Sequence, residues 1–225
     1  MNSNNPMPLY IKDCTLIALA TGKRAQNLRE LREHLRVIPT NCIYYHFWGG
    51  LLRPRFDDPE YHNDFAIWAA HSIHNKMLAE RLAVIDPVAF RSMEDLRREL
   101  LDVIEESLDE TEFPIWARRD DQFEFIQHQI VVFDTHKYLE KPDELETALS
   151  EFSMGSLFFH VIDARQRNEN SLDDFQNWLT QFGPSYKDLR DIIGTIDPYF
   201  TSLNHLKERL LKAIHTYQLE GDANA

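Results

Sequence analysis

At 225 residues, 43% of them hydrophobic, the chain is long enough for one large or two small cored domains. A net charge of −13 disfavours broad binding to nucleic acid or to an anionic membrane, which the protein would repel. No apolar run approaches the ~18 residues of a membrane span, and residues 1–15 lack the basic and apolar stretches of a secretion signal, so a soluble, cytoplasmic protein is expected.

Taken in chain order, residues 1–57 are basic, with eight Lys/Arg against four Asp/Glu. Docking on acidic surface of the same chain or of a sister subunit is the first reading of that asymmetry, and an anion pocket is the second. Asp13 to Ala20 is weakly helical. Leu28, Leu31 and Leu35 then recur at helical spacing, with Arg29, Arg32 and Arg36 on one face and Glu30 and Glu33 interleaved. Ile43-Tyr44-Tyr45-His46 lies on the next predicted helix. A long helix is expected from about Asn63 to Val84, because neither glycine nor proline interrupts it. Ile85-Asp86-Pro87 punctuates the chain, with aspartate as a cap and proline in the first turn of the helix that follows. That helix is amphipathic, with Phe90, Met93, Leu96, Leu100, Leu101 and Ile104 on one face.

Much of this order then returns. Leu157-Phe158-Phe159-His160 repeats the aromatic-histidine group, Asp174-Phe175-x-x-Trp178 repeats Asp64-Phe65-x-x-Trp68, and Ile196-Asp197-Pro198 repeats the turn. Leu145 and Leu149 match the first stripe, and Phe200, Leu203, Leu206, Leu210, Leu211 and Ile214 match the last. In the second copy Gly183-Pro184 must split the helix that the first copy keeps whole. The expected fold is therefore mainly α: a tandem duplication of a four- to five-helix unit packed with pseudo-twofold symmetry. One short strand per copy is allowed, with Ile130-Val131-Val132-Phe133 the best candidate. The predicted bounds are residues 1–112 for the first unit, 113–122 for a linker, 123–219 for the second unit and 220–225 for a frayed end.

The Tyr-Tyr-His segment, the Asp-Phe-x-x-Trp segment and the Ile-Asp-Pro turn together resemble a prokaryotic protein family of unknown function, over nearly the whole chain. The resemblance implies no substrate, cofactor or catalytic residue.

His46 and His160 are the only histidines at matching positions, and each follows two aromatics. They could move protons or ligate a metal in a shared cleft, or be buried with both ring nitrogens hydrogen-bonded. Asp64 and Asp174 read as first-turn helix charges behind the caps Asn63 and Asp173, with Phe and Trp filling the core. His71 and His74, three apart on the predicted helix, could bind one divalent metal with His62 or with Asp57, Asp58 or Glu60. The spacing lacks a His-Glu-x-x-His or paired-cysteine pattern, so no cofactor is expected and a divalent metal stands as the alternative. Arg53 and Arg55, flanking Pro54, are the anion-binding candidates. Cys14 and Cys42 are unmatched in the second copy and read as reduced core residues.

Signals for a fold outnumber signals for a site. The reading is a non-catalytic intracellular binding, scaffold or regulatory protein that acts through a protein partner or self-association. The alternative is a small-molecule or metal-dependent enzyme with a histidine-containing pocket between the copies.

Overall fold

The computed structural model describes residues 6–52, 60–110 and 115–223. Two strands, β1 (Leu9–Ala25) and β2 (Phe123–Leu139), form a two-stranded sheet. Thr21 Oγ1 donates to the Phe125 carbonyl at 2.6 Å and Thr135 Oγ1 donates to that of Ile11 at 2.5 Å. Advancing along one strand means retreating along the other, so the pair is antiparallel. The helices of the first half are α1 (Leu28–Leu35), α2 (Thr40–Trp48), α3 (Asp64–His71), α4 (Lys76–Ala83) and α5 (Met93–Asp109). Those of the second half are α6 (Leu145–Ser150), α7 (Met154–Leu157), α8 (Ala164–Arg167), α9 (Asp174–Leu179), α10 (Lys187–Gly194) and α11 (Leu203–Ala223). A π-helical segment, Phe158–Asp163, joins α7 to α8.

The expectation of a mainly α protein made of two tandem helical units is corrected here: the fold is α/β. Each strand runs for 17 residues, far beyond a short tetrapeptide. Contacts also gather the chain into two interleaved units. A split unit takes Met1–Thr15 with Ile130–Ala225, and a continuous unit takes Leu16–Gln129. Each strand therefore gives one segment to each unit. Every unit combines the helices of one sequence half with pieces of both strands.

The strands escaped notice because only their end segments are buried. Ile11, Cys14 and Leu139 are buried in the split unit, and Ala25, Phe123 and Phe125 in the continuous one. Ala18, Leu19 and Ala20 are exposed in succession, so the in-out alternation that betrays a half-buried strand is missing.

Helix ends are set by the same devices in both halves, 114 residues apart at the start. Asn27 Oδ1 accepts from Glu30 N at 3.0 Å while the Glu30 carboxylate accepts from Gln26 N at 2.9 Å, which starts α1. Before α6, the Glu144 carboxylate accepts from Glu140 N at 2.9 Å. At the other end of α1 the buried Arg97 guanidinium donates to the Leu35 and Ile38 carbonyls. Lys207 Nζ serves α6 likewise, donating to Ser150 and Phe152 carbonyls, each at 2.8 Å. Both cations satisfy carbonyls that a helix terminus leaves unpaired.

The predicted Asn63–Val84 helix is broken between His71 and Lys76. His74 is left-handed (φ 55°) and the Asn75 side chain accepts from Leu78 N at 3.0 Å, starting α4 without proline or glycine. In the second half the break falls where it was expected. Residues Thr180–Tyr186 form a 3₁₀ stretch in which Gly183 has a φ of 75°. Asp86 and Asp197 make local turns instead of starting helices: their Oδ1 atoms accept from Val88 N (2.9 Å) and Tyr199 N (2.7 Å). Ser92 caps α5 in place of Asp86, and Ser202 Oγ accepts from His205 N at 3.2 Å at the start of α11.

In the continuous unit, every α2 residue from Cys42 to Trp48 is buried, and Phe65 stacks on Phe123 with ring centroids 5.0 Å apart. Leu96, Leu100 and Ile104 close that core from α5. In the split unit, Leu206, Leu210 and Ile214 of α11 join Leu145, Leu149 and Phe175. Among the described residues, no helix is long and apolar enough to cross a membrane.

Candidate functional site

In the continuous unit His46 is carried by α2 and is 3% exposed. Its Nδ1 lies 2.9 Å from Asp64 Oδ2, and its Nε2 accepts the Ile126 amide of β2 at 3.1 Å. A ring nitrogen that receives an N–H cannot carry a proton, so the proton sits on Nδ1 and donates to the carboxylate. Asp64 is the first residue of α3, behind the cap Asn63 whose Oδ1 accepts from Ala66 N at 2.9 Å. One imidazole thus ties α2 to the start of α3 and to the strand. Trp68 ties α3 again, its Nε1 donating to the Asp121 carbonyl at 2.8 Å.

The split unit repeats the arrangement with different neighbours. His160, 1% exposed, sits in the π-helical segment. Its Nδ1 is 2.7 Å from Asp174 Oδ2 and its Nε2 accepts the Lys12 amide of β1 at 2.9 Å. Trp178 Nε1 donates to the Met7 carbonyl at 2.9 Å. Here Arg167 is added: it donates to Asp163 (2.6 Å) and Asp174 (3.0 Å) and lies 3.9 Å over the Phe159 ring. Burial opposes ionisation of Asp174, yet the His160 hydrogen bond and the Arg167 charge together hold its carboxyl below the usual carboxylate range.

In both units the histidine bonds a strand from the opposite sequence half. His46 of the first half meets β2, and His160 of the second meets β1. These side chains lock strand to helix. In each ring both Nδ1 and Nε2 are engaged in hydrogen bonds within the unit.

The metal candidates are placed as follows. His62 is half-buried ahead of α3, His71 ends α3 and is exposed, and His74 is exposed beyond the helix. The helix stops at His71, so His71 and His74 do not share a helical face. Among the described residues no three metal-ligating side chains cluster. His71 instead borders a groove of about 310 Å³ with His46, Asp64, Trp68 and Glu124. Arg53 and Arg55, with Asp57 and Asp58, lie outside the described residues. Arg32 pairs with Glu33 at 2.7 Å and Arg36 with Glu105 at 2.7 Å, so those two arginines are engaged within the unit.

Sequence reading missed a larger concavity of about 750 Å³ in the split unit, bordered by β1, β2, α6 and α7. Its apolar lining includes Ile11, Leu139, Ala148 and Phe152, and Asp13, Asp143, Glu144 and Glu151 add carboxylates. Beside it, a Cβ on Gly155 would lie 2.2 Å from the Cys14 carbonyl oxygen, so only glycine permits this approach of α7 to β1. Cys14 and Cys42 are both buried free thiols, as expected. Ala148, a small residue 114 positions after His34, is one trace of the concavity in the sequence.

Fold and site together define a helical α/β protein whose two units are each locked by a histidine, an aspartate and an exchanged strand. The chain belongs to the family of unknown function DUF5752, which matches residues 6–215. It is similar to the structure of OrfY from Thermoproteus tenax, at 29% identity and a TM-score of 0.81, over 96% of this chain and 98% of that one. No curated protein matches it.

Proposed function

We propose that the protein is a non-catalytic binding protein that docks a protein partner or a second copy of itself. The observation that carries this reading is the commitment of the matched histidines, His46 and His160, to internal bonds through both nitrogens. The residues with the best sequence claim to chemistry are spent on holding strands to helices.

The exposed apolar side chains of the sheet support the same reading. In the split unit Tyr10 is 58% exposed, Phe133 51% and Tyr138 53%, and the Tyr10 and Tyr138 rings lie 6.0 Å apart. In the continuous unit Ile17 is 44% exposed. Each strand of the sheet has one strand neighbour, and an edge of that kind is a place where another chain can add.

Sedimentation velocity and native mass spectrometry across a concentration series test the proposal. Self-association, or a stoichiometric complex with a co-purified protein, that weakens in Phe133→Ser and Tyr138→Ser is the expected result. A lone monomer carrying a metal or small molecule that is lost in His46→Ala or His160→Ala would overturn it and favour the enzyme alternative.

A further inference from the structure

We propose that the concavity of the split unit is a binding site for an amphipathic organic cation, an amine with an apolar body. Its volume of about 750 Å³ falls within the range of small-molecule sites. Ile11, Leu139 and Phe152 are nearly fully buried and give it an apolar lining. Ser153 and Ser156, whose hydroxyls are 3.1 Å apart, add polar groups.

The continuous unit supplies an internal comparison. His34 stands 114 positions before Ala148, and Phe125 stands 114 positions after Ile11. The His34 ring meets the Phe125 ring edge-on at 5.3 Å, and its Nε2 donates to the Arg24 carbonyl at 3.0 Å. Where the continuous unit holds two rings in contact, the split unit has an alanine and an isoleucine that border open space.

Charge chooses the ligand. Arg24 and Arg29 of the continuous unit are replaced, 114 positions on, by Tyr138 and Asp143, while Gln127 and Val37 correspond to Asp13 and Glu151. The basic groups that border the concavity are Lys137, which is paired with Glu151 at 2.8 Å, and His136, 3.8 Å from Asp134. Asp143 accepts from Tyr186 Oη through Oδ1 at 3.2 Å, and Asp13 Oδ1 accepts from Cys14 N at 2.7 Å. The other oxygen of each carboxylate can receive an ammonium. Acidic walls around an apolar lining favour a cation with a greasy body and repel the matching anion.

The test is a fluorescence titration of the full-length protein with dansylcadaverine, a cation with an apolar ring system, against dansylglycine, an anion with the same rings. The cation should bind with a blue-shifted emission and at least roughly tenfold more tightly than the anion. Ala148→His, which restores the side chain found 114 positions earlier, should abolish the signal. Asp143→Asn should weaken it several-fold. Equal or tighter binding of dansylglycine, or no binding of either dye up to about 1 mM, would overturn the proposal. So would an unaltered titration in a folded Ala148→His variant. If Ala148→His fails to fold, Asp143→Asn decides: weakened cation binding supports the site and unchanged affinity overturns it.

Discussion

Asp173 is the residue whose substitution tests the electrostatics most sharply. It is fully buried, and its Oδ1 caps α9 by accepting from Gln176 N at 2.8 Å. Among the described residues its Oδ2 accepts no hydrogen bond, and Arg165 lies 3.5 Å from it. Burial pushes the carboxyl from its ordinary 3.8 up to about 6, against the Gln176 amide and the Arg165 charge. The corresponding residue of the continuous unit, Asn63, caps α3 in the same way and also donates its amide to the Leu82 carbonyl at 2.9 Å. Between pH 3.8 and about 6 the folded protein holds a proton that the unfolded chain has released. The stability from this group is therefore fully present below pH 3.8 and is lost as pH rises through 6. At roughly 1.4 kcal/mol per pH unit, the ionised acid costs at most about 3 kcal/mol at pH 7. Asp173→Asn keeps the cap and removes the ionisation, so it should stabilise the protein at pH 7 by about 1–3 kcal/mol and flatten the fall of stability across the acid range. Urea unfolding of both proteins from pH 4 to 8 measures this. A variant that is less stable at pH 7 but unchanged at pH 4 would refute the reasoning and make the Arg165 pair the dominant interaction.

Three further outcomes are expected. His160→Phe should lower stability by about 2–4 kcal/mol, since it leaves the half-buried Lys12 amide unpaired and strips a partner from Asp174; a melting temperature within a degree of the parent would contradict the locking role. His136 has a φ of 57° where the strand position 114 residues earlier holds Gly22 at 74°, so His136→Gly should stabilise by about 0.5–1 kcal/mol in chemical denaturation; a loss of stability would count against the strain. Burial, with Asp163 and Asp13 nearby, pushes the Cys14 thiol up to about 12. Iodoacetamide at pH 8 should label it at least about 100-fold faster after unfolding than before, as read by intact mass; rapid labelling of the folded protein would show an exposed thiolate.

What could be read from the sequence was local. The stripes Leu28-Leu31-Leu35 and Leu206-Leu210-Ile214 lie in cores, and Asn63 and Asp173 cap helices, because such signals need only residues within a turn or two. The match between His46 and His160 pointed to the two side chains that bond a helix to a strand in each unit. Their partners were not legible, because Asp64 and Asp174 come into reach only when helices pack, and the Ile126 and Lys12 amides carry no side-chain signature. The exchange of strands was hidden for a related reason. Aligning two halves shows which residues are equivalent but not whether Thr21 pairs with its own half or with Phe125 of the other. The concavity escaped because it is defined by what Ala148 lacks.

The exchange of strands sets a timetable for synthesis. The continuous unit is complete once residue 129 has emerged, but the Leu9–Thr15 segment belongs with chain that begins at Ile130 and extends into α11. At roughly 5–20 residues per second, the first strand waits about 10–40 s for its helices. During that interval its segment is a ready acceptor for the same helices of a neighbouring chain on the same message. A first strand that must wait for its helices is therefore exposed, for as long as the wait lasts, to pairing with those of another chain.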